Sequence, residues 1–166
     1  MSALIPLLLA AAVHEAGHLG AARLLGVPCR YARMRFPGGR LVFDFSRVGY
    51  GRELFVRAAG PLCGALTALF AHLAGWEAYA WPSLALSALN CLPLTGFDGG
   101  GMLYAALCSA CLPDTAAKTC AAVSCAVRIF VWAAAARYAL LTGSVGAIGF
   151  AAGLVLGGAG LSFVRP

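Results

Sequence analysis

Residues 14–18 read His-Glu-Ala-Gly-His. On a helix, histidines at i and i+4 share one face, so both imidazoles can reach a single ion. The glutamate beside the first histidine is then placed to take a proton from water activated at that ion. Zinc favours such nitrogen ligands, and a catalytic site keeps three protein ligands and one open position. Average residue usage gives this pattern by chance in roughly a few chains per thousand of this length. Here it sits inside the apolar run AAVHEAGHLG. An ionised glutamate facing lipid is costly, so ionisable groups within a span are read as functional.

The elements that must position these residues are membrane spans. The chain has 166 residues, 61% hydrophobic and only 11% charged, where a soluble domain carries charge on about a quarter. One domain is the natural expectation. The first apolar segment runs from Ala3 to Leu25, enough for the roughly 20 residues that cross a bilayer core. Gly26-Val27-Pro28 ends it. Residues 31–36 alternate and residues 41–45 are leucine, valine and phenylalanine around Asp44, with Pro37-Gly38-Gly39 between them, which predicts a β-hairpin. A second span covers Leu54 to Ala74, with Gly60-Pro61 as an expected kink. Trp76, Tyr79 and Trp81 at the next turn suit an interfacial aromatic belt.

A third span begins near Pro82, and its centre holds Asn90, Pro93 and Asp98-Gly99-Gly100-Gly101. Such breakers are tolerated at membrane depth only where protein or a water-filled cavity surrounds them. Two more apolar runs follow, Ala116 to Leu141 and Val145 to Val164. The expected fold is thus an all-α polytopic membrane protein of about five transmembrane helices with a small β-hairpin between the first two spans. Residues 1–108 would form a three-span core, and residues 109–166 two additional helices.

Eight of the twelve basic residues lie between Arg23 and Arg57. In a membrane protein such a loop marks the cytoplasmic side, which is favoured here over a nucleic-acid surface. The N-terminus lacks a basic n-region and reads as a span rather than a cleaved leader. The seven cysteines fall mostly in apolar runs and read as structural; Cys108-x-x-Cys111 lacks the second pair of a zinc site.

A third metal ligand must come from Asp44, Glu53, Glu77, Asp98 or Asp114, and only Asp98 lies within an expected span. At about 1.5 Å per residue, His14 to His18 lie ~16–23 Å from the outer end of span one, and Asp98 ~24 Å from that of span three. The three groups should meet at similar depth, nearer the cytoplasm, as a His2Asp zinc site. His72 near the outer end of span two reads more simply as an interfacial residue.

HEAGH in the first span, followed by N90-C91-L92-P93-L94-T95-G96-F97-D98-G99, resembles the site-2 protease family of intramembrane zinc metalloproteases, whose second motif is N-x-x-P-x-x-x-x-D-G. Ala58 to Pro61 (AAGP) also resembles that family's second core span. Within the family, the short bacterial form represented by the stage IV sporulation protein FB group is the most similar. The resemblance implies that His14, His18 and Asp98 bind one zinc ion. It makes Glu15 general base and then proton donor to the leaving amine, and has Asn90 hold the substrate or stabilise the oxyanion. It implies a peptide bond cut in a transmembrane or membrane-adjacent protein segment, in the bacterial cytoplasmic membrane, with a regulatory membrane partner and no nucleic acid. The extra leading span and CBS domain of several sporulation members are not seen in the sequence, nor is a PDZ insertion.

A non-catalytic metal-binding membrane protein, either a pseudoprotease scaffold or a metal transporter, is the rival reading. The intact Glu15 is of no use to a scaffold. A transporter needs polar groups along a whole path, and the later spans offer only Arg128, Arg137, thiols and small hydroxyls. A hairpin strand edge, finally, could pair with an unwound substrate segment.

Overall fold

Leucine and alanine run from the first helical turn to the last in α1 (Leu4–Leu24). Gly26, at φ +67°, stops the helix. The Val27 N–H reaches the Ala22 carbonyl at 2.8 Å and the Gly26 N–H reaches that of Arg23 at 3.3 Å. That pair of bonds is the left-handed cap glycine permits. The computed structural model describes residues 4–35 and 38–157, and the side chains of all of these except 32–40 and 154–157.

Two antiparallel strands follow, β1 (Cys29–Arg35) and β2 (Gly38–Phe43), pairing Arg35 with Gly38 and Ala32 with Leu41. Gly38 and Gly39 therefore belong to β2, where the sequence reading put the turn; residues 36 and 37 lie outside the described residues. β2 packs on α1. The rest is helical: α2 (Tyr50–Leu73), α3 (Glu77–Asn90), α4 (Asp98–Cys108), α5 (Pro113–Thr142) and α6 (Gly146–Gly157). α2 is the hub, packed against α1, α3 and α4, and α5 packs on α4. The part of the fifth expected span beyond residue 157 lies outside the described residues.

Among the described residues, three helices are long and apolar enough to cross a membrane, α1 with 21 residues, α2 with 24 and α5 with 30. The third expected span is divided. α3 and α4, of 14 and 11 residues, are each too short for a core of about 30 Å at about 1.5 Å per residue. The loop Cys91–Phe97 separates them. α3 also starts at Glu77 rather than Pro82. An acidic residue suits a helix N-terminus, and proline inside a membrane helix is tolerated where neighbours satisfy the freed carbonyl.

The distribution of side chains is inverted relative to a soluble protein. Leu8, Phe70 and Leu140 are 60%, 67% and 87% exposed, while the interior is built from Ala10, Ala22, Ala68, Ala105 and Ala116. Small residues let membrane helices approach, and lipid solvates the large apolar ones outside. We therefore read the chain as an integral membrane protein. Among the described residues, the buried polar ones are His14, His18, Glu53, Ser83, Ser87, Thr95 and Ser124. Tyr79 corrects the aromatic-belt expectation. It is only 3% exposed, and its hydroxyl meets Thr67 Oγ1 at 3.0 Å inside the bundle.

Candidate metal centre

The i, i+4 spacing puts His14 and His18 on the face of α1 that meets α2, and both are buried. Asp98 comes from the first turn of α4, where its carboxylate complements the helix dipole. Asp98 Oδ2 lies 3.0 Å from His14 Nε2 and 3.1 Å from His18 Nε2, and the two Nε2 atoms are 3.2 Å apart. Three lone-pair donors converge on one point, drawn from residues 80 and 84 positions apart.

This triangle suits a metal. Ligands about 2.05 Å from a tetrahedral zinc ion are separated by about 3.3 Å. Among the described residues these three are the group of metal-ligating side chains close enough to share an ion. The support around them is uneven. His18 Nδ1 donates to the Val56 carbonyl of α2 at 2.7 Å, which turns Nε2 toward the centre, the arrangement metal-ligating histidines adopt. His14 Nδ1 is buried without a hydrogen-bond partner among the described residues.

Close helix approach makes room for the imidazoles. A side chain at Gly60 of α2 would run into the His18 ring, and one at Gly17 would meet the Ala59 carbonyl oxygen at 2.7 Å. AAGP and HEAGH are thus two halves of one contact, since Gly60 supplies the space that His18 fills. Gly99 is similarly placed, its α carbon against the Cys91 backbone, which holds the start of α4 on the end of α3.

Glu15 is half-buried on the turn between the histidines. Its Oε2 accepts the Leu41 N–H of β2 at 3.3 Å, so the hairpin touches the acidic residue of the motif directly. Asn90, the last residue of α3, spends its Nδ2 on the Leu86 carbonyl of its own helix at 3.0 Å. His72 pairs with Glu77 at 2.6 Å, both exposed at the α2–α3 turn, and takes no part in the triangle.

Several supporting residues escaped the sequence reading. Val56 acts through its carbonyl, which no side-chain pattern reveals. Glu53 and Arg57, on α2, form an ion pair of 2.9 Å with Glu53 only 1% exposed; their i, i+4 spacing was the available signal. Arg57 also lies over the Phe45 ring at 5.0 Å and closes against Gly101 of α4. Thr95 and Ser124 meet in the interior, and nothing in the sequence announces that pair. Asp44, below the hairpin, accepts from Ser46 Oγ at 2.6 Å and Arg30 at 2.7 Å. Those bonds hold its carboxyl well below the usual carboxylate range, the Ser46 hydroxyl contributing most, then the Ser46 N–H and Arg30.

Comparison with models of known protein families finds no match, and no curated protein matches the sequence. Among solved structures, the fold is similar to that of the site-2 protease from Methanocaldococcus jannaschii, with a TM-score of 0.75 at 21% identity, over 98% of this chain and 78% of that one. The chain has a site-2-protease-like fold, mostly helical with a small antiparallel hairpin.

Proposed function

We propose that this protein is an intramembrane zinc-dependent endopeptidase that cuts a transmembrane or membrane-adjacent protein segment. The observation that carries the reading is the triangle of His14, His18 and Asp98, 3.0–3.2 Å on a side, with Glu15 beside it inside apolar helices. His14, His18 and Asp98 would hold one zinc ion. When bound, zinc acidifies water and polarises the scissile carbonyl. Glu15 is the proton acceptor in the attack on the peptide carbonyl and returns the proton to the leaving amine. The Leu41 N–H orients the carboxylate for both transfers. Val56 keeps the His18 ring in one tautomer. Asn90, at the end of α3, holds substrate or the developing oxyanion once its amide turns from the Leu86 carbonyl.

A helical substrate must unwind before its carbonyl can be attacked. The Leu41 N–H points to Glu15 rather than to β1, so the free edge of β2 faces the site. An unwound substrate segment pairing along that edge would lie beside Glu15. With the arginine-rich hairpin on the cytoplasmic side, cleavage occurs nearer the cytoplasmic face of a bacterial membrane. Regulated proteolysis, with a membrane partner controlling access, is the role that the resemblance of HEAGH and Asn90–Gly99 implies within this reading.

The test is co-expression with candidate membrane substrates, comparing wild type and Glu15→Gln for cleavage and zinc content. Full zinc with abolished cleavage is expected of the variant. Equal cleavage by a zinc-loaded Glu15→Gln protein overturns the mechanism. Asp98→Ala should lose zinc, whereas His72→Ala should keep it.

A further inference from the structure

The loop Cys91–Phe97 is irregular backbone between two helices of a membrane bundle, so each of its N–H groups needs a partner from protein. Most are local. Cys91 donates to Ser87, Leu92 to Leu89, Leu94 to Leu92 and Phe97 to Leu94, at 2.7–3.1 Å. Pro93 has no N–H to place. Thr95 differs, because its N–H donates at 3.1 Å to Ser124 Oγ on α5, and the two side-chain hydroxyls meet at 3.0 Å. Thr95 is 8% exposed and Ser124 1%. The contact joins residues 29 positions apart and reaches outside the three-span motif region.

Ser124 is turned to this purpose. Thr119 and Thr142 on the same helix donate to carbonyls four residues back, Thr115 and Tyr138, the usual use of a hydroxyl in an apolar helix. The Ser124 oxygen instead takes a backbone donor from the loop. Thr95 stands three residues before Asp98, with Gly96 between at φ +96°. Leu94, 1% exposed, fixes the loop by apolar burial, and Ser124 supplies the polar tether at the next residue.

We propose that Ser124 is a positioning residue for the metal centre. By holding the Thr95 backbone, it sets where the loop delivers Asp98 against His14 and His18. The inference rests on those three residues being metal ligands, and it makes α5 part of the centre rather than an accessory helix. Without the Ser124 oxygen, the Thr95 N–H is buried with no acceptor. The loop then rotates to find one, and Asp98 Oδ2 leaves the 3.0–3.1 Å contacts that close the triangle.

The experiment uses the full chain in detergent, stripped of metal and titrated with Co2+ against a chelator, reading affinity and the d–d absorption bands. Wild type should bind one Co2+ with a tetrahedral spectrum. Ser124→Ala should bind about 10–100-fold more weakly, the usual loss for a group supporting a ligand, with altered bands. Thr119→Ala, which removes a hydroxyl bonded only within its own helix turn, should match wild type. Thr95→Ser, keeping both N–H and hydroxyl, should also match. If Ser124→Ala does not fold, Thr95→Val keeps the N–H bond, strips only the hydroxyl pair, and should weaken binding about 2–10-fold. A folded Ser124→Ala or Thr95→Val protein with wild-type Co2+ affinity and spectrum overturns the inference alone. A wild type that binds no Co2+ overturns the metal reading, and this inference with it.

Discussion

Gly60→Ala is the sharpest perturbation of the centre, because it adds one methyl group and touches no ligand chemically. A Cβ at Gly60 would stand 2.5 Å from His18 Cε1 and 2.7 Å from Cδ2. Carbon atoms pack no closer than about 3.5 Å without repulsion, so the ring must retreat by about 0.8–1.0 Å. Metal sites tolerate ligand displacements of about 0.2 Å, several times less. Retreat of the ring also strains the 2.7 Å bond from Nδ1 to the Val56 carbonyl. Overpacking costs about 1–3 kcal/mol in stability, but the effect on metal should be larger. Displacing a ligand should exceed the roughly 10–100-fold loss seen for its supporting groups. The assay is metal stoichiometry and affinity of the purified chain alongside its thermal midpoint. Two alanine variants bracket it. At Gly20 nothing lies within 4 Å, so alanine should bind metal normally and stabilise α1 by up to about 1 kcal/mol. At Gly17 the clash falls on the Ala59 carbonyl and Cys63, so alanine should lower the midpoint with less metal loss. A Gly60→Ala protein that binds one metal ion with wild-type affinity refutes the assignment of His18 as a ligand held in this pocket.

Leu41→Pro removes the N–H that reaches Glu15, on the strand edge facing away from β1, where proline is tolerated. Zinc content should hold while kcat falls about 10–100-fold, the range for a bond to a charged acceptor; an unchanged kcat would show that the hairpin does not orient Glu15. Arg57→Met takes the guanidinium from a carboxylate that is 1% exposed and should lower the thermal midpoint, with recovery when Glu53→Leu is added. Asp44 gives the pH dependence. Its folded value lies below the ordinary 3.8, so its contribution to hairpin order is complete above that value and is lost as pH falls toward the folded one. Limited proteolysis of the hairpin should therefore accelerate below about pH 4 in wild type, and Asp44→Asn should be cut equally fast at all pH values.

The amino-acid pattern was enough to name the three side chains that meet and to give the element types. HEAGH declared its own geometry, because i, i+4 on a helix needs no tertiary help. The apolar runs set α1, α2 and α5 to within a few residues. The breakers between Asn90 and Asp98 marked the divided segment, and Asp98 stood out as the one remaining acidic residue within an expected span. Boundaries were less legible. Gly38 and Gly39 pair with Arg35 and Met34 in β2, because glycine can pair in a strand as well as turn. Tyr79 went to the interior because Thr67 offered its hydroxyl a partner.

What only the packed bundle decided is how the candidate ligands are held. Val56 acts through a backbone carbonyl, Gly60 through the absence of a side chain, Leu41 through a backbone N–H and Ser124 through a hydroxyl indistinguishable in sequence from its neighbours. Local sequence specifies which groups can bind a metal, since that depends on atom type and helical spacing. It does not specify which distant backbone atom stands 2.7 Å from a ring nitrogen. That depends on how α1, α2, α4 and α5 close on one another, and closure is settled by small residues and buried polar pairs spread over the whole chain.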